Sequence, residues 1–283
     1  MSATDPTERT GAEPAALSEE ASGAAAGRGR LAGRRVLVVG GGQQDHDVED
    51  PPVGNGRAIS VLCAREGASV AVADIDAASA EATAALVRAE GAKAAIVEAD
   101  AAEEEAAATM FATSQKALDG LDGLVLNVGT AAGFLLHGTS AAEWDQVMAV
   151  NLRSHFLGCK HALDAMERGS VVLIGSVAAR EVLPFPAYGA SKAALESLCR
   201  QAAVEGAPHV RVNLLVPGLI DTPLGRLASS LAPARERVKL PAGRQGTAWE
   251  VAYAALFPLS EESSYVTGQS LIVDGGLTTG PRA

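Results

Sequence analysis

Tyr188 and Lys192 stand four residues apart, and Ser176 precedes the tyrosine by twelve. Four residues is about one helical turn, so the two side chains share a face if the segment from about 187 to 205 is helical. A phenol is a poor base near neutrality because its pKa is about 10. A nearby ammonium favours the phenolate by direct charge attraction. Lowering the phenol by roughly three units takes about 4 kcal/mol. Ser176 follows the apolar run Val171-Val172-Leu173-Ile174. A hydroxyl at such a strand end can hold a substrate oxygen beside the phenol, which makes a proton-transfer site. A Tyr-x-x-x-Lys pair alone is more often a solvated pair on a helix surface. The rest of the chain decides between the two.

The positioning elements start at Arg35. Arg35 to Val39 reads as a buried strand and runs into Gly40-Gly41-Gly42. After QQDHDVEDPPV come Gly54-Asn55-Gly56-Arg57 and a helical stretch ending at Gly67. A second strand, Ser69 to Ala73, ends in Asp74, 18 residues after Gly56. Strand, glycine-rich turn, helix, strand and acid suit a dinucleotide. Glycines admit a pyrophosphate, the helix start donates N–H groups, and the acid takes ribose hydroxyls. Alternation continues with helices at about 77–90, 102–118, 141–167, 187–205 and 247–259. Strands fall at about 93–98, 124–126, 171–175, 210–216 and 270–273. Apolar strands alternating with helices predict an α/β fold, a doubly wound parallel sheet covered on both faces. Ligands then bind beyond the strands' carboxyl ends. Gly40 to Gly42, Asp74, Asp100, Asn127, Ser176 and Pro217 all fall at such ends.

Composition narrows the rest. Of 283 residues, 48% are hydrophobic but only 4% aromatic, so Ala, Val and Leu must fill the core. The net charge of −11 argues against nucleic acid or an anionic membrane as a partner. The absence of a long apolar run predicts no membrane span. Cys63, Cys159 and Cys199 are scattered in helical patterns and read as buried free thiols in a reducing cytoplasm. Residues 1–30, rich in Ala, Gly, Glu and Ser, read as a disordered tail without signal-peptide features, and residues 31–283 as one domain. No metal-ligand spacing is present; His155 and His161 are six apart on different helix faces.

From about Leu31 to Gly276 the sequence resembles the short-chain dehydrogenase/reductase family. AYGASK at 187–192 resembles its Tyr-x-x-x-Lys, GSVAA at 175–179 its catalytic serine, and LNVG at 126–129 its Asn-Asn-Ala-Gly. VNLRSHF at 150–156 supplies Asn151 as the fourth member of a catalytic tetrad. VNLLVPGLIDTPL at 212–224 and VTGQSLIVDGG at 266–276 resemble the family's Pro-Gly turn and last strand. One departure lies in the first loop, which the family writes T-G-x-x-x-G-x-G. Here Gly40 replaces the threonine, and twelve residues separate Gly41 from Gly54. QQDHDVEDPP is thus an insertion, expected to loop outward because its acids Asp45, Asp47, Glu49 and Asp50 would repel a pyrophosphate.

The resemblance implies an oxidoreductase interconverting a secondary alcohol and a ketone. Tyr188 would be the general acid/base. Lys192 would lower its pKa and hold the nicotinamide ribose, Ser176 would bond the substrate oxygen, and Asn151 would help carry a water chain to Lys192. Gly40, Gly41, Gly42, Gly54, Asn55, Gly56, Asp74, Asp100, Asn127, Gly129, Tyr188, Lys192, Pro217, Gly218, Ile220 and Thr222 would contact the cofactor. Asp74 points to NAD, because it repels a 2′-phosphate and Ile75 after it offers no positive charge. The substrate, a small alcohol or ketone, would meet residues 137–138, 177–185 and 219–237, with Arg180, Arg226 and Arg235 as candidates for an acid group. Dehydratase or epimerase chemistry on the same scaffold, or an NAD-binding sensor, are the alternatives. The family also implies a homotetramer.

Overall fold

The structure, a computed structural model, describes residues 16–279. In chain order the elements begin with α1 (Glu19–Ser22), β1 (Arg35–Val39), α2 (Asn55–Arg65), β2 (Ser69–Asp74), α3 (Ala77–Ala89) and β3 (Ala94–Glu98). Next come α4 (Glu104–Leu118), β4 (Gly123–Leu126), α5 (Ala141–Met148), α6 (Ser154–Ala165), β5 (Gly169–Ile174) and α7 (Pro186–Gly206). The last are β6 (Val210–Pro217), β7 (Ile220–Asp221), α8 (Pro223–Leu231), β8 (Gly246–Thr247), α9 (Ala248–Leu259) and β9 (Ser270–Val273).

Seven parallel strands form one sheet in the order β3-β2-β1-β4-β5-β6-β9. The apolar strand runs explain this layout, since the five inner strands β2, β1, β4, β5 and β6 bury both faces, while the edge strands β3 and β9 do so only in part. In β1, Val36 and Val38 join the core under α2, α3 and α9, while Leu37 and Val39 join the core under α4, α6 and α7. Chain order reverses between β1 and β4, which opens a crevice above their ends. The register sets those ends level: Val39 pairs with Ala73 on one side and Leu126 on the other, and Leu126 pairs with Leu173.

Two expectations need correction. Residues 16–30 are not a disordered tail; the expectation for residues 1–15 lies outside the described residues. Ala21 and Ala25 are buried, and Thr247 donates to the Ala21 carbonyl at 2.6 Å. The backbone N–H groups of Arg28 and Arg30 both donate to the buried Glu66 carboxylate, at 3.0 and 2.9 Å. Small side chains and backbone groups make this attachment, so no apolar periodicity announces it. The second correction concerns 141–167, which is not one regular helix. A π-helical turn, Ala149–Arg153, separates α5 from α6 and carries Asn151.

All three cysteines are free and buried, and burial pushes each thiol up to about 12. Among the described residues no helix is long and apolar enough to cross a membrane.

Candidate active site

A cavity of about 1530 Å³ opens beyond the carboxyl ends of the strands. Its size exceeds that of a typical single-ligand pocket, roughly 300–1,000 Å³, and leaves room for a dinucleotide and a second molecule. Ser176, Tyr188 and Lys192 line it together. Ser176 stands two residues beyond β5 and caps a short 3₁₀ turn by accepting from Ala178 N–H at 3.1 Å. Pro186 starts α7, which then presents Tyr188 and Lys192 one turn apart. The Ser176 hydroxyl faces the Tyr188 phenol closely enough to lower its pKa, and the Lys192 ammonium lies 5.8 Å from the phenol ring centre.

The electrostatics differ from the simple expectation. Burial pushes Tyr188 above the usual phenol range, while the Ser176 hydrogen bond and then the Arg235 charge pull it back. Lys192 is not the source of that pull. Its ammonium is buried and donates to the Ile174 carbonyl at 2.9 Å, and burial lowers its own pKa to about 8.

Asn151 does not line the cavity, but it stands behind Lys192. A methyl built on Gly129 would meet Lys192 Nζ at 3.4 Å and Asn151 Oδ1 at 3.9 Å. Asn151 Oδ1 accepts from Thr130 N–H at 2.8 Å, and Nδ2 donates to the Thr130 carbonyl and to Ser191 Oγ at 2.9 and 3.0 Å. The π-turn places this fully bonded amide between the 129–130 loop and α7. π-turns of this kind recur at functional sites.

Of the residues expected to contact a cofactor, Gly40, Gly42, Gly54, Asn55, Gly56, Asp74, Asp100, Asn127, Gly129, Pro217, Gly218, Ile220 and Thr222 line the cavity. Gly41 is the exception: it packs against Val72, and a Cβ there would meet a Val72 methyl at 2.9 Å. The residues present fit a dinucleotide. A Cβ on Gly56 would meet the Gly40 carbonyl at 1.9 Å, and one on Gly42 would meet Asp74 Oδ2 at 2.7 Å, so the backbone here must stay bare. No side chain caps α2 at Gly54, which leaves its first N–H groups to an anion. Asn55 Oδ1 is buried there without a partner, an unmet polar demand in the same wall. Asp74 is held by N–H groups of Gly42 at 2.9 Å and Asp76 at 3.2 Å, each on a different oxygen. Lone pairs remain on both oxygens for hydroxyl donors. Arg57 bends away to Thr83 at 3.1 Å. Asp100 folds onto Ala102 N–H at 2.9 Å, and Glu103, not Asp100, precedes α4.

The insertion only partly loops outward. Its four acids are exposed, yet Gln43, Gln44 and His46 line the cavity. Gln43 closes the loop's base, because its side-chain carbonyl accepts from Gly54 N–H at 2.8 Å. Ser79 of α3 bonds the Gln43 backbone at 2.5 and 2.8 Å. At the far end, Arg226 of α8 donates to the Asp50 carbonyl at 3.1 Å. The loop therefore bridges the glycine turn and α8. Sequence reasoning missed Gln43 and Ser79; only their place beside the glycine turn and the α3 start hinted at them. Of the residues expected to meet a substrate, His137 and Gly138 do not line the cavity; Phe134 does, edge-on to Phe185 at 5.9 Å. His155 is a core residue, buried and bonded to the Leu126 carbonyl at 3.0 Å.

The family model described as enoyl-(acyl carrier protein) reductase, of the short-chain alcohol dehydrogenase group, matches residues 53–278. The 2-(S)-hydroxypropyl-CoM dehydrogenase 3 of Xanthobacter autotrophicus is 37% identical over 88% of this chain and 98% of its own length. The chain belongs to the short-chain dehydrogenase/reductase family. A cyclopentanol dehydrogenase of a Comamonas species is 34% identical over 88% of this chain and 99% of its own. The crystal structure of a short-chain type dehydrogenase/reductase from Mycobacterium marinum superposes with a TM-score of 0.77 at 28% identity, covering 88% and 97% of the two chains. The family's dehydrogenases use a nicotinamide cofactor, and the cavity's glycine-lined half is where such a group fits.

Proposed function

We propose that this protein is an NAD-dependent oxidoreductase that interconverts a secondary alcohol and a ketone. The observation that carries the reading is the meeting of Ser176, Tyr188 and Lys192 in the cavity that Asp74 and the bare glycines also line. Two relatives named for hydroxyl-bearing substrates, cyclopentanol and 2-(S)-hydroxypropyl-CoM, support the reaction class. When bound, a nicotinamide supplies the hydride acceptor or donor. This chain's residues handle the rest. Ser176 holds the substrate oxygen, and Tyr188 gives a proton to that oxygen in reduction and takes it in oxidation. Lys192 holds a positive charge near the phenol and would bond the nicotinamide ribose, and Asn151 fixes the loop that backs Lys192. The test is a panel of secondary alcohols and ketones followed by NADH absorbance. No absorbance change with any member, in either direction, contradicts the reading.

The lowered Lys192 predicts a pH profile. Ketone reduction needs protons on both Tyr188 and Lys192. Tyr188 sits above its usual range, so it keeps its proton longest. Lys192 loses its proton as pH rises through about 8. The reductive kcat/KM should therefore be level below about pH 8 and fall above it. A profile level to pH 10 contradicts the assignment.

We also propose that the insertion would strap a cofactor held in the cavity, since it joins the glycine turn to α8 and lines the cavity with Gln43, Gln44 and His46. Deleting residues 44–51, with Gln43 kept and a short Gly-Ser link added, should speed NAD release about tenfold with little change in the melting temperature. Loop length itself costs only about 0.6 kcal/mol per doubling. An unchanged off-rate in a folded deletion variant leaves the loop without that role.

We also propose a homotetramer in the cytoplasm. The small residues of α6 and α7 serve mostly within the chain, since Gly158 packs on Leu126 and Ala162, Ala202 and Ala203 are buried. The support comes instead from Phe156 and Val204, large apolar side chains exposed on these helices. Light scattering at micromolar concentration should give four chains per particle; a monomer contradicts it.

A further inference from the structure

Two short segments expose large apolar residues against each other. Phe134, Leu135 and Leu136, in the loop between β4 and α5, are 47%, 56% and 78% exposed. Val182-Leu183-Pro184-Phe185 joins the 3₁₀ turn that Ser176 caps to α7, which carries Tyr188. Val182 is fully exposed and Leu183 partly so. The two segments touch. Leu135 N–H donates to the Pro184 carbonyl at 2.8 Å, and the Phe134 and Phe185 rings meet edge to face at 5.9 Å. Phe134, Val182, Leu183, Pro184 and Phe185 all line the cavity that Ser176 and Tyr188 line. Single exposed apolar residues are ordinary, whereas a contiguous set of them at a cavity marks a binding surface.

The loop that shows this surface is fixed. Leu135 has a φ of 55°, in the left-handed region that a leucine seldom adopts. Thr139 Oγ1 donates to the Leu135 carbonyl at 2.7 Å, and a Cβ on Gly138 would meet the Phe134 carbonyl at 2.4 Å, so the loop closes tightly on itself. Strain of this kind persists where the surroundings enforce it, as at ligand clamps. Two of the arginines expected to meet an acid group are spent elsewhere: Arg180 pairs with Glu196 and Arg226 with Asp221, each at 2.8 Å, and neither lines the cavity.

Resting on the alcohol–ketone reading above, we propose that the substrate carries a large apolar group, a hydrocarbon chain or ring, that packs on Phe134, Leu183 and Phe185 and continues over Leu135 and Val182 while the carbinol lies at Ser176 and Tyr188. Chain connectivity sets this adjacency. Leu183 and Phe185 follow Ser176 by seven and nine residues and precede Tyr188 by five and three. The surface is continuous with the cavity at the reacting groups, so the molecule that covers it is the one whose oxygen they hold. Covering it removes apolar area of both protein and substrate from water, and the gain grows with each carbon added.

The experiment measures kcat/KM with NAD for 2-alkanols from 2-butanol to 2-decanol, beside diols of the same lengths that end in a second hydroxyl. Each added methylene should raise kcat/KM about threefold, close to the gain from burying one methylene, and the terminal hydroxyl should cancel most of that rise. Phe134→Ala and, at a fully exposed position, Val182→Ser should flatten the rise while keeping kcat/KM for 2-butanol and the Kd of NADH. Phe134→Leu should keep most of it. A flat profile in the parent, or diols turned over as well as the alkanols, overturns the apolar substrate class and leaves the alcohol dehydrogenase reading standing. A rise kept in both variants, with or without a weaker Kd of NADH, shows that these segments do not receive the substrate and also overturns the proposal. No NADH formed from any of these alcohols, or from the wider panel of secondary alcohols, overturns the underlying reading and the inference with it.

Discussion

Tyr188→Phe should lower kcat about a thousandfold while NAD binds with nearly unchanged affinity. The ring and its packing remain, and only the proton donor and acceptor is lost. General acid–base groups contribute roughly 10² to 10⁴ in rate, and the change falls on kcat because the group acts in the transition state. Lys192→Ala should damage both steps, since Lys192 stands at the phenol and at the cofactor side of the same cavity. Steady-state kinetics beside fluorescence titration of NADH separates the effects. Activity within tenfold of the parent in Tyr188→Phe would sink the proton-transfer assignment.

The second large effect concerns the cofactor. NAD should be preferred over NADP by a hundredfold or more in kcat/KM. Asp74 ends β2 with its carboxylate tied to two backbone N–H groups, so it cannot swing away from a ribose phosphate without breaking them. At roughly 4 Å and an effective dielectric of about 20, two like unit charges repel by about 4 kcal/mol. Arg57 does not line the cavity and donates to Thr83 at 3.1 Å. Asp74→Ala removes the repulsion and should bring the two cofactors to within about tenfold. Equal or better efficiency of the parent on NADP shows that Asp74 does not face the ribose.

Strand and helix positions were legible because their signals are local. The run Arg35 to Val39 buries on both faces, as continuous apolar strands must, and Tyr188 and Lys192 share a helix face because helical spacing dictates it. What stayed hidden depends on contacts across the sequence. The docking of residues 16–30 uses backbone groups against Glu66 and a hydroxyl at Thr247, which leave no pattern in composition. The π-turn at Asn151 costs one extra residue in a helix whose periodicity otherwise continues. The insertion's inward half was missed because its acids dominated the reading, whereas Gln43, Ser79 and Arg226 anchor it. The charge balance at Tyr188 required knowing that Lys192 spends its hydrogen bond on Ile174 and that Arg235 faces the same cavity.

The most direct test of the central claim follows one hydrogen atom. A secondary alcohol that the enzyme oxidises is prepared with deuterium at the carbinol carbon and incubated with NAD. The account predicts deuterium in the reduced nicotinamide, one per ketone formed, as read by mass spectrometry. Product formed with the deuterium kept on carbon or lost to water, and no net reduced cofactor, contradicts it and assigns the site to non-redox chemistry.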